Sequence, residues 1–178
     1  MIQSESIEKI MNSQILISIN NFIKNRLVEF SGVLLITIGV FLLLAIISYS
    51  PADPNFIYTP GEVEIKNIGG FYGSVISDFL LQSIGLISFL IVLNLLNWGL
   101  TLTMKKEIGN FISKIFFTVS YIIFGSTFIN IFYNDSFWLI DNGNSGFVGR
   151  LVKETLYSFI NLIENQYTFF TLILLTII

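Results

Sequence analysis

The chain contains neither cysteine nor histidine, only three prolines, and charged side chains at just 12% of its 178 positions. Each shortage removes a class of function. Without thiols and imidazoles there is no disulfide framework, no zinc-type ligand set, no cysteine nucleophile and no histidine to act as acid or base near neutral pH. Lys and Arg number 9 against 12 Asp and Glu and are not clustered, so the basic surface of a nucleic-acid-binding protein is missing. No G-x-x-x-x-G-K-[ST] phosphate loop occurs, so no nucleotide cradle is expected. Accordingly no residue is assigned a catalytic, cofactor-binding or metal-binding role.

What the chain has instead is apolar length. Hydrophobic residues make up 53% of it, and soluble domains carry about twice its share of charge. So few charges cannot solvate so much apolar surface, and the expected fold is an all-α, polytopic membrane protein with the bilayer as its solvent. The run 30–49 is free of charge and about 20 residues long, which at about 1.5 Å per residue matches a hydrocarbon core of about 30 Å. A second span is expected over 84–104, ending at Lys105 and Lys106, and a third over 115–133, just after Lys114. A fourth apolar run, 167–178, is too short to cross. It reads as a truncated span that a longer chain would complete.

Residues 1–29 form a separate N-terminal segment and 30–178 the membrane domain. In the segment, Ile7, Ile10, Met11, Ile15, Ile19, Phe22 and Ile23 recur at helical spacing, which fits an amphipathic surface helix or else a loosely ordered tail. The Lys and Arg excess sets orientation. Lys24 and Arg26 precede the first span and Lys105, Lys106 and Lys114 lie between the second and third. The connection between the first two spans has only Lys66 against Asp53, Glu62, Glu64 and Asp78. The N-terminus is therefore expected inside, with two loops outside.

Those loops share a pattern. Gly70-Phe71-Tyr72-Gly73 is followed by Val75, Ile76, Leu80 and Leu81, and Gly146-Phe147-Val148-Gly149 by Leu151, Val152, Leu156 and Tyr157 at the same offsets. Either a helix–loop–helix unit occurs twice, each time turning at its glycines into a short amphipathic outer helix, or the pair is a coincidence in a chain rich in Gly and Phe. Inside the spans, Asn94 and Asn97 lie three apart on one face. They could join helices or line a substrate site, and the carboxylates all fall outside the spans, against an ion-coupled transporter.

The first span ends in Ser50-Pro51-Ala52-Asp53-Pro54, and the two X-Pro steps stop the helix there. Asn67, Gly69, Gly70 and Gly73 follow, then Asp78, Leu80, Leu81, Gln82 and Gly85. This series resembles the N-terminal four-helix membrane domain of FtsK/SpoIIIE DNA translocases from about Arg26 to the chain end. Gly143, Gly146 and Gly149 match the second loop more loosely, with Ser145 in place of a paired glycine.

The resemblance implies a multi-pass anchor in the bacterial inner membrane at the division septum, in contact with other cell-division membrane proteins and acting in cell division and chromosome partition. It also implies a homo-oligomer, hexameric through a motor, with DNA engaged only by that C-terminal motor, which these residues do not contain. The site residues it marks, structural or interacting, are Ser50, Pro51, Asp53, Pro54, Asn67, Gly69, Gly70, Gly73, Asp78, Gly146 and Gly149. A small transporter or channel-like subunit is the alternative, motivated by the duplicated unit.

Overall fold

A computed structural model of the chain describes residues 2–58, 64–105, 107–135, 139 and 142–159, and among these every regular element is helical. Five α-helices follow in order: α1 (Ile2–Ile47), α2 (Gly70–Ile84), α3 (Ser88–Lys105), α4 (Phe111–Phe132) and α5 (Gly146–Phe159), with a single 3₁₀ turn, Gly85–Ile87, between α2 and α3. Three stretches are long and apolar enough to cross a membrane: Gln14–Ile47, Gly70–Lys105 and Phe111–Phe132. The expected fourth run, 167–178, lies outside the described residues.

The break expected between residues 29 and 30 is not an element boundary, because α1 is one continuous helix through it. No proline or glycine precedes Gly32 to interrupt the ladder. At the junction the Arg26 guanidinium pairs with Glu29 at 2.6 Å, one turn apart, and stacks over the Phe22 ring at 5.2 Å. Such i,i+3 partners suit a helix and do not end one. The third span agrees with its expected limits to within a few residues.

Where the second span is expected over 84–104 the structure has α3, and the short helix that the repeated-unit reading puts after the first glycine pair is α2; Gly85, with a φ of 61°, separates the two. A β-carbon on Gly85 would collide with the Asn144 carbonyl, and the Leu86 N–H donates to that same oxygen at 2.9 Å. Ser88 restarts the helix, its hydroxyl donating to the carbonyls of Gly85 (2.6 Å) and Leu80 (3.0 Å). The glycine thus ends one helix and brings the second glycine loop against the break.

Contacts divide the chain into two compact units, Met1–Ile38 with Leu95–Gly109, and Gly39–Asn94 with Asn110–Ile178. In the first, α1 and α3 approach through a pair of glycines. A β-carbon on Gly32 would lie 2.8 Å from the Gly99 carbonyl and 2.5 Å from the Thr103 hydroxyl; one on Gly99 would lie 2.8 Å from the Gly32 carbonyl. Small residues at a crossing let backbones touch where lipid offers no hydrophobic drive for association.

In the second unit α5 packs on α4 and α2. Its buried positions include Ala45, Ile46, Val75, Leu81, Ile87, Val92 and Ile131, but also Asp53, Asn67, Ser74, Ser77, Ser126, Thr127, Asn130 and Ser145. Large apolar side chains of α1, α3 and α4 in this unit face outward instead, among them Ile47, Leu93, Phe116 and Phe117. A polar interior under an apolar exterior is the arrangement that a bilayer favours.

Gly99→Val should push α3 off α1 in the first unit. We expect a loss of about 1–3 kcal/mol, the usual cost of overpacking, measured by SDS-induced unfolding in mixed micelles. Gly109→Val, where an added β-carbon meets nothing, should leave the midpoint unchanged.

Candidate interaction site at the glycine loops

After α1 the chain has no helical ladder to satisfy its amides, and Asp53 supplies the substitute. Ser50 and Asp53 close a β-turn, the Asp53 N–H donating to the Ser50 carbonyl at 3.1 Å with Pro51 at the position where its fixed φ fits. That turn directs the Asp53 carboxylate inward, where it is 3% exposed and accepts the N–H groups of Lys66 (3.0 Å) and Asn67 (2.8 Å). Two loop strands 13 and 14 residues apart are clasped by one side chain.

Asn67 carries the clasp onward. Its Nδ2 donates to the Ala45 carbonyl at the end of α1 (2.8 Å) and to Ser77 on α2 (3.3 Å), and its Oδ1 accepts the Gly69 N–H (2.9 Å). A β-carbon on Gly73 would strike that Oδ1, so only glycine lets α2 pass this close. Gly69 is held the same way, its absent β-carbon 2.8 Å from the Gly73 Cα. Ser74 donates to the Pro54 carbonyl at 2.6 Å, Ile68 N–H to the Ser48 hydroxyl at 3.0 Å, and the Tyr49 hydroxyl to Asp78 at 3.0 Å. The structure therefore unites Ser50, Pro51, Asp53, Pro54, Asn67, Gly69, Gly70, Gly73 and Asp78 in one hydrogen-bonded knot that ties α1 to α2.

The second loop repeats the geometry. Gly70 N–H donates to the Asn67 carbonyl at 2.9 Å, and Gly146 N–H to the Gly143 carbonyl at 3.3 Å; both glycines have a positive φ, 61° and 66°, and each opens a helix. Gly149 then lies against the Ser126 carbonyl of α4 as Gly73 lies against the α1 end. The partners differ. Asn130 of α4 donates to the Ser145 hydroxyl (2.8 Å), Asn134 accepts the Ser145 N–H (3.2 Å), and Asn144 donates to the carbonyls of Tyr133 and Asp135, both at 2.8 Å. Ser145, which departs from the glycine pattern, is thus the second loop's buried anchor. Asn142 to Gln82 (3.2 Å) and Asn144 to Leu86 join the two loops through α2.

Asn130 and Ser126 had a signal in the sequence, as polar residues within an apolar span. Asn94 proves to be a helix-joining residue: its Nδ2 donates to Thr118 (2.8 Å) and Tyr121 (3.1 Å) of α4.

A family model described as the 4TM region of DNA translocase FtsK/SpoIIIE matches residues 24–178. This chain belongs to that family. It is 31% identical over 160 residues to the DNA translocase FtsK of Rickettsia prowazekii (strain Madrid E), covering 90% of this chain and 21% of the relative. To the DNA translocase FtsK of Caulobacter vibrioides it is 42% identical over 73 residues, 41% of this chain and 9% of the relative. To that of Azospirillum brasilense it is 34% identical over 88 residues, 49% and 14%. The chain thus spans about a fifth or less of these relatives' length, in the family's membrane region. No solved structure matches it.

Asp53→Ala would leave the Lys66 and Asn67 amides without an acceptor, at about 1–3 kcal/mol for each buried group. Thermal unfolding in detergent should show a large loss for Asp53→Ala and a smaller one for Asp53→Asn, which keeps one acceptor oxygen. The exposed Glu64→Ala should shift stability by less than about 0.5 kcal/mol.

Proposed function

We propose that this chain is the membrane anchor and division-site interaction domain of a bacterial DNA translocase, acting in cell division and chromosome segregation and having no catalysis of its own. The observation that carries the reading is the buried clasp at the glycine loops, in a chain whose residues 24–178 match the 4TM region of DNA translocase FtsK/SpoIIIE. DNA movement and hexamer formation belong, in this reading, to motor residues that the sequence does not include. In this reading the N-terminus and the Lys105–Lys114 connection are cytoplasmic and both glycine loops outside, which the Lys and Arg bias supports, although Arg150 and Lys153 in the second outer loop weaken the contrast there.

The clasp suits such a role because it fixes the loop backbone while leaving apolar side chains outward. Phe56, Ile57, Ile68 and Tyr72 are all more than half exposed, Ile57 at 98%. Fixed apolar groups at a loop are what another membrane protein can bind without an ordering cost.

Orientation can be tested directly, since there is no native cysteine. Single cysteines at Asn55 and Asn142 should react with an impermeant maleimide on spheroplasts, and one at Lys106 only after lysis; the reverse pattern inverts the topology. A fluorescent fusion of the full chain should concentrate at the septum, and Ile57→Ala with Tyr72→Ala should reduce that enrichment while membrane levels stay constant. Even distribution of the parent around the cell would remove the division-site role.

A further inference from the structure

We propose that the cleft between the C-terminal end of α4 and α5 is a binding site for a phosphate anion, supplied by an anionic phospholipid headgroup or by free phosphate. The cleft has a volume of about 470 Å³ and is lined by Asn130, Asn134, Arg150, Lys153, Glu154 and Tyr157. On α5 the four lining residues follow at i, i+3, i+4 and i+7, one face of a helix. The cleft therefore belongs to a polar stripe backed by Leu156 and Tyr157, which pack on the buried Ile131 of α4.

Charge chooses the ligand. Two cations and one carboxylate leave a net positive charge, and the single ion pair is weak: Arg150 Nε lies 4.0 Å from Glu154 Oε1. Most of the guanidinium's donors are therefore available for a planar, two-point contact with phosphate oxygens. Lys153 stands 6.0 Å from the Tyr157 ring centroid and has no carboxylate partner among the described residues. The two asparagines give the cleft a fixed wall, because Ser145 holds both.

Position supports the lipid source as well as the ion. The cleft begins where α4, an apolar helix of spanning length, ends at Phe132. Basic pockets beside the ends of membrane helices are where acidic headgroups bind, and tyrosine rings prefer the same depth. The site rests on the chain's membrane location alone; only the leaflet depends on the orientation proposed above.

The full chain, purified in detergent, would be offered equal amounts of phosphatidylglycerol and phosphatidylcholine, and the lipid it retains counted by native mass spectrometry. We expect about a fivefold preference for phosphatidylglycerol per engaged cation, lost in Arg150→Gln/Lys153→Gln and increased in Glu154→Gln. Lys114→Gln, at the opposite end of α4, should behave as the parent. A separate arm measures melting in lipid-free micelles with inorganic phosphate against chloride at equal ionic strength. A preference that vanishes in the double variant assigns the site to the headgroup. Stabilisation of the parent but not the double variant by phosphate, without lipid preference, assigns it to the free anion. Absence of both responses, a preference surviving in the double variant, or an equal loss in Lys114→Gln overturns the site. Should the double variant fail to fold by circular dichroism, the Glu154→Gln arm decides: no increase overturns the proposal.

Discussion

Where a membrane helix ends, the chain must leave without exposing unpaired amides to an apolar surrounding, and here one buried carboxylate meets that requirement for the first loop. Asp53 accepts two backbone N–H groups, and Asn67, whose own N–H is one of them, distributes the remaining bonds to α1, α2 and Gly69. An unpaired buried amide costs more than a formed hydrogen bond contributes, so such a clasp is effectively all or none. Everything that follows in the first half of the second unit depends on it. The direction of α2 is fixed by Gly73 passing over the Asn67 amide, and α2 in turn carries Gln82 and Gly85 to the second loop.

The second loop solves the same problem with other chemistry. Its turn and positive φ repeat those of the first, but Ser145, whose hydroxyl accepts from Asn130 and whose N–H donates to Asn134, takes the place of the carboxylate. The geometry is shared because each turn places a residue at φ near +60°, which glycine reaches without steric cost. The polar anchors are free to differ, since any matched set of donors and acceptors fills the same space. That is why the second loop looked like a weaker copy in sequence while its backbone is not weaker at all.

Much of this architecture was legible because a bilayer imposes length. The spans ending at residues 47, 105 and 132 fall within a few residues of where the charge-free runs placed their ends, and Pro51 and Pro54 marked the first exit. Three features were not legible in the same way. Continuity of α1 through residue 29 is hidden by the change from polar to apolar residues at Arg26 and Glu29, although no residue there breaks a helix. The break at Gly85 needs the Asn144 carbonyl, 59 residues away in sequence, to become a requirement. The Gly32–Gly99 crossing joins glycines that have no local pattern, and only the meeting of two helices gives them meaning.

Burial separates the residues that form the clasp from those the clasp displays. Asp53 and Asn67 are 3% and 4% exposed, and Pro54 and Gly73 are buried with them, so the clasp presents little of itself to the surroundings. Their bonds define a backbone shape, and the second loop reaches the same turn with other anchors. What the shape holds outward is Phe56 and Ile57 beyond the proline turn and Ile68 and Tyr72 around the glycines. Those positions can change without disturbing the clasp, because none of their side chains contributes a hydrogen bond to it. A fixed frame with exchangeable outward groups lets a membrane domain keep its fold while its exposed surface varies.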